Sequence, residues 1–179
     1  MHAIVALLAA AVTLAPARAG APAVRPATPA LDDPTIVAIF EAANTWDIET
    51  SRVALKRSRN PEVRAFAEMM ARDHAAARQL GRDLAAKLTV TPTPPGKNFP
   101  LYKNHVAIMK TLAKARGAAF DRAYVDHEVA YHQAVIDAVT TQLLPATQNA
   151  ELRALEQKVA PNFQAHLAAA KALQQKLAK

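Results

Sequence analysis

Between residues 61 and 88 the small and apolar side chains recur at Val63, Phe66, Met70, Ala77, Gly81, Leu84 and Leu88, with His74 at the centre of the series. Steps of three and four gather these residues onto one face of an α-helix and nowhere else. Asn60 and Pro61 supply the start signal, an N-cap followed by a first-turn proline. A helix of this length with one apolar stripe is stable only when the stripe is covered, so the rest of the chain must provide partners.

Three further stretches carry the same period. Asp33 and Pro34 open a helix to about Ser58, with Ile36, Ile39, Phe40, Ala43, Trp46, Thr50 and Val53 inward, Glu49 at or inside the stripe and Asp47 near its other edge. A third helix covers about Ala118 to Leu144, limited by Pro145, and places Glu128 and His132 among Val125, Val129, Ile136 and Val139. The last begins near Asn149 and aligns Leu152, Leu155, Val159, Phe163, His166, Ala170, Leu173 and Leu177, with a kink expected at Pro161. A shorter piece, about Leu101 to Arg116, turns Val106, Met109 and Leu112 inward and stops at Gly117. The proline-rich stretch before it, residues 89–98, reads as a crossover loop. With only 4 glycines and no alternating β-branched run, the chain has no material for a sheet. The expectation is an all-α, up-down four-helix bundle with a crossover loop and a short extra helix, over residues 34–178.

Residues 1–19 combine an apolar run from Ala3 to Ala15 with small residues at Ala17 and Ala19, the pattern of a signal peptide cleaved after Ala19. Residues 20–33 are rich in proline and alanine and read as a tether. The reading is therefore a periplasmic protein. There is no cysteine, which removes disulfides and thiol chemistry; stability must come from packing or from a ligand. The formal net charge of +7 becomes +6 once residues 1–19 and their single arginine are removed. An exported basic chain meets anionic envelope polymers or lipid headgroups, and the Lys56, Arg57, Arg59 and Arg64 cluster is the place for such contact. Nucleic acid is not expected, because no basic cluster is interleaved with aromatics.

Each long helix thus carries a ligand-type side chain in its apolar stripe: Glu49, His74, Glu128 with His132, and His166. Buried imidazoles and carboxylates need a partner or a metal, and bundles build metal sites from facing helices in this way. The inventory suits one divalent ion, Zn, Cu, Mn or Fe, with His74, His132 and His166 as nitrogen ligands, Glu49 as the anion and Glu128 as a fifth ligand or an acceptor behind them. Asp73 would orient an imidazole. The di-iron pattern of two Glu-x-x-His motifs is absent, since Ala71 and Phe163 stand three residues before His74 and His166. The same residues could instead form a metal-free hydrogen-bonded network that fixes helix register. His105, His127 and Asp126 fall off the stripe and read as surface or outer groups, and Tyr124 and Tyr131 as packing residues with solvated hydroxyls. No Ser-His-Asp grouping or glycine-rich phosphate loop points to catalysis.

Residues 63–74 (VRAFAEMMARDH), 120–135 (FDRAYVDHEVAYHQAV) and 160–173 (APNFQAHLAAAKAL) resemble a bacterial envelope family known as domain of unknown function 4142. The resemblance implies a ferritin-like helical bundle behind a signal peptide. It marks Asp73, His74, Tyr124, His132 and His166 as family-pattern positions, Tyr124 and Asp73 standing behind the ligands, without implying an activity.

Overall fold

The computed structural model describes residues 31–93 and 99–179, so the expected signal peptide and most of the tether lie outside the described residues. Every element among the described residues is helical: α1 (Asp33–Arg57), α2 (Pro61–Lys87), α3 (Pro100–Lys114), α4 (Gly117–Ala138), a π-turn (Val139–Leu143), α5 (Leu144–Ala146) and α6 (Ala150–Leu177). Asn60 and Asn149 cap α2 and α6 as expected, each accepting from two backbone N–H groups of the first turn. At α1 the cap is Asp32, one residue earlier than expected, and Asp33 instead accepts from the backbone of Gln148 and Asn149 at the α6 start.

Helix direction follows from the pairs that meet. Three residues separate α1 from α2, which forces them antiparallel. Ser51 meets Tyr124 and Ala43 meets Tyr131, so α4 also runs against α1. Glu62 pairs with Lys176 and Lys87 with Glu151, so α6 runs against α2. The diagonal pair α2 and α4 is consequently parallel, and the crossover that permits this includes α3; residues 94–98 of the expected crossover loop lie outside the described residues. Arg57 fastens the far end of α3 by donating to the Leu112 and Ala115 carbonyls while its guanidinium lies 4.7 Å over Phe120.

Local chemistry explains two departures from the expected boundaries. Gly117 does not stop α3; it opens α4 at φ +54°, a conformation glycine adopts without strain. Pro145 does not end the third long helix either. It cannot donate to the carbonyl four residues back, the Thr140 and Thr141 hydroxyls bond to the carbonyls of Ile136 and Asp137, and the chain widens into the π-turn and continues to Ala146. Pro161, expected to kink the last helix, lies within an unbroken α6.

The interior has three levels. One apolar cluster holds Ile36, Phe40, Val135, Leu152 and Phe163; another holds Val63, Met70, Phe120, Tyr124 and Leu173. Between them, equally buried, lie Asn44, Asp47, Thr50, Ser51, His74, Glu128, His132 and His166. Burying an apolar side chain contributes roughly 1.5–3 kcal/mol, whereas unpaired polar groups cost about as much or more. The two apolar levels therefore carry the bundle, and the middle level needs a separate account.

Candidate metal centre

All four long helices contribute to that level: Asn44, Asp47, Thr50 and Ser51 from α1, His74 from α2, Glu128 and His132 from α4, and His166 from α6. Ring nitrogens of His74, His132 and His166 lie within 4.8 Å of one another, as do ligand atoms of Asp47, Glu128 and His132. His132 belongs to both groups and joins them.

The hydrogen bonds fix which atoms can bind what. The Asn44 amide nitrogen donates to the Phe40 carbonyl (2.8 Å), so its oxygen faces His74 and accepts from Nδ1–H at 2.9 Å. His132 Nδ1–H donates to the Glu128 carbonyl at 3.0 Å. Both imidazoles then turn the lone pair of Nε2 inward, and these two nitrogens stand 3.3 Å apart. Asp47 Oδ2 lies 3.4 Å from the first and 3.8 Å from the second, without a hydrogen-bond donor. Its other oxygen is held by Ser51 (3.3 Å), which in turn meets the Tyr124 hydroxyl at 3.0 Å. Glu128 Oε2 also lacks a donor; the Thr50 hydroxyl, which bonds to the Asp47 carbonyl at 2.9 Å, lies 3.5 Å from the other oxygen, Oε1. His166 donates from Nε2 to Asp73 (3.2 Å), leaving Nδ1 buried and unpartnered. Acceptors converge here from four helices, and the hydrogen within reach is the one that a neutral Glu128 carboxyl shares with Asp47.

Burial sets the protonation states. It pushes His74 down to about 3 and His132 down to about 4. Both rings are neutral at physiological pH, the form that binds metal. A hydrogen bond between the two Nε2 atoms would need one ring cationic, which burial opposes. Burial raises the Asp47 carboxyl, and burial with the adjacent Asp47 charge raises Glu128 well above the usual range. A cation would reverse the cost of ionising both.

The sequence matches the family described as "Domain of unknown function (DUF4142)" over residues 15–173. The chain belongs to the DUF4142 family. Among solved structures, this DUF4142 chain is similar to a DUF305 fragment from Deinococcus radiodurans (15% identity, TM-score 0.70, covering 85% of this chain and 99% of that one). It is also similar to a candidate secreted DUF305 protein from Streptomyces coelicolor (13%, 0.67, 80% and 91%) and to CopM in its Cu(II)-bound form (18%, 0.63, 82% and 98%). At these identities the likeness concerns the ferritin-like helical fold. No curated protein matches the sequence.

Of the residues expected in the DUF4142 core, His74, His132, His166 and Glu128 are brought together, while Asp73 pairs with His166 and the Tyr124 hydroxyl meets Ser51. Glu49 is not brought together with them. Its side chain is 47% exposed and pairs with His105 at 3.0 Å; the acidic residue that α1 turns inward is Asp47. The reason is a rotation of the stripe: Asn44, Asp47, Ser51 and Ala54 are buried, whereas Ala43, Trp46 and Val53 are only partly so. On α3 the inward line is likewise Leu101, His105 and Leu112 rather than Val106 and Met109. His105, expected at the surface, is buried and stacked on Trp46 with ring centroids 5.6 Å apart. The tyrosine hydroxyls are not solvated: that of Tyr131 donates to the Ala43 carbonyl at 2.8 Å. Arg57 and Arg64 of the basic cluster are committed to helix carbonyls, which reduces what that patch offers a polyanion. Among the described residues no helix is long and apolar enough to cross a membrane.

Proposed function

We propose that this protein holds one divalent transition-metal ion in its bundle core, for storage or buffering in the periplasm. The ligands are His74, His132, His166 and Asp47, with Glu128 beside them as a fifth ligand or charge-balancing acceptor. The observation that carries the reading is the facing pair of Nε2 lone pairs at 3.3 Å with the unpartnered Asp47 oxygen next to them. Ligand atoms held at about 2.0–2.1 Å from a tetrahedral ion are about 3.4 Å apart. Two of the separations, 3.3 and 3.4 Å, match such an edge and the third, 3.8 Å, exceeds it by a few tenths of an ångström, so a small side-chain movement would close the three atoms on an ion of the set Zn, Cu, Mn and Fe. The Cu(II)-bound state of a protein with a similar fold supports metal binding in general.

Export and cleavage after Ala19 belong to this reading, and the mass of the protein recovered from the periplasm checks them. The site itself is tested by elemental analysis of protein purified without a histidine tag. Near-stoichiometric metal that survives dialysis is expected, and its loss in the combined His74→Ala, His132→Ala, His166→Ala variant. Unchanged metal content in that variant would remove the site.

A further inference from the structure

The core site is closed: its ligands are 0–4% exposed, so an ion reaches it only where helices part. α1 packs along α2 and α4 along α6, while α1 and α4 touch at fewer points and α3 lies against both. The α1–α4 seam, covered by the crossover helix, is the line along which neighbouring long helices approach each other least closely. On it sit ligand-type residues that the core does not use: Glu49 and His105, with His127 of α4 packed on Tyr131 at 5.3 Å between ring centroids. Glu49 of α1 presents a half-exposed carboxylate, and His105 of α3 places Nε2 3.0 Å from it. The other His105 nitrogen is buried without a partner, so the ring is not locked by a second hydrogen bond as His74 is. Inward of this pair the seam is lined by Trp46, which stacks on His105 and precedes Asp47 in the chain, and by Tyr131, whose ring centroid is 6.1 Å from that of His132.

Resting on the core site proposed above, we propose that Glu49 and His105 form a second, shallow metal site, the capture point through which a divalent ion is taken up before it passes to Asp47 and His132. Two protein ligands with water completing the shell bind a hydrated transition-metal ion weakly and release it quickly, which suits transit and not storage. The seam between α2 and α6 offers another approach, through Asp73 and His166. There, however, the Asp73 carboxylate is 29% exposed and is neutralised by Arg72 at 2.8 Å, placing a cation at the mouth. The electrostatic gradient for a metal ion favours Glu49.

The experiment follows uptake of Co2+, added alone, by the visible absorption of the ion in the core, using the metal-free mature protein in stopped flow. Glu49→Gln and His105→Ala should each slow the approach to the endpoint roughly tenfold, the low end of what steering charges contribute to association rates, and leave the endpoint itself unchanged. His105→Phe, which keeps the ring on Trp46, should be equally slow and separates lost ligation from lost packing. Unchanged rates in all three variants would overturn the capture site while leaving the core site intact, and slowing by Asp73→Asn alone would move the route to the other seam. No absorption from the unsubstituted protein would instead sink the core reading, and this inference with it.

Discussion

At the scale of single residues, Asp47 and Glu49 divide two roles that their spacing makes easy to confuse. They are two positions apart, so they point to opposite sides of α1, and only Asp47 is buried. Asp47→Asn should weaken equilibrium metal affinity about 100-fold or more, in line with what ligand-sphere changes remove, whereas Glu49→Gln should leave it unchanged; titration against a chelator of known affinity distinguishes them. Glu128 makes a prediction about pH. Burial raises its folded-state carboxyl above the unfolded value near 4.5, so its contribution to stability is complete below that pH and declines as pH rises. Glu128→Gln should therefore raise the melting temperature of the metal-free protein near pH 8 by a few degrees, at roughly 2–4 °C per kcal/mol for a chain of this size. The difference should close as pH falls to 4.5, and with metal bound its sign should invert. An unchanged or lowered melting temperature for the metal-free variant at pH 8 would contradict the buried charge. Because burial holds His74 down to about 3 and His132 down to about 4, a metal bound as proposed should stay on them in the mildly acidic range, which metal content after dialysis at about pH 5 checks.

At the scale of the helices, what could be read in the sequence depended on how much of the inward face was apolar. α2 and α6 have apolar or small residues along most of the inward line, interrupted by His74 in α2 and by Glu156 and His166 in α6, and their phase is evident. α1 gives its inward line over its second half to Asn44, Asp47, Ser51 and Ala54, so the partly exposed Trp46 and Val53 outweigh it in any hydrophobic count. The signal that could have found Asp47 was chemical: Asn44, Asp47 and Ser51, at three and four, are polar residues that make no sense on a solvated face beside Ile48 unless something polar faces them. Gly81 shows the reverse case, a small residue whose reason lies on another helix. A Cβ there would stand 2.7 Å from Phe40 Cδ1, so glycine lets α1 and α2 approach. Gly81→Ala should cost about 1–3 kcal/mol in overpacking, partly offset by the roughly 1 kcal/mol helical preference of alanine. Adding Phe40→Leu should recover part of the loss, and a double-mutant cycle by denaturant melts measures the coupling.

For the molecule as a whole, stability and metal content should be one observable. An ion at 100 times its dissociation constant adds about 2.7 kcal/mol to the folded state, so zinc should raise the melting temperature by roughly 5–10 °C for a domain of this size. Removal of the metal with a chelator should reverse the shift, and the triple histidine variant should show neither change. The four proposed ligands come from four different helices and lie far apart along a chain that contains no cysteine. A bound ion would then tie together every long segment of the polypeptide at one point. It would be a reversible crosslink made without sulfur, and its strength would follow the local supply of metal rather than the local redox potential.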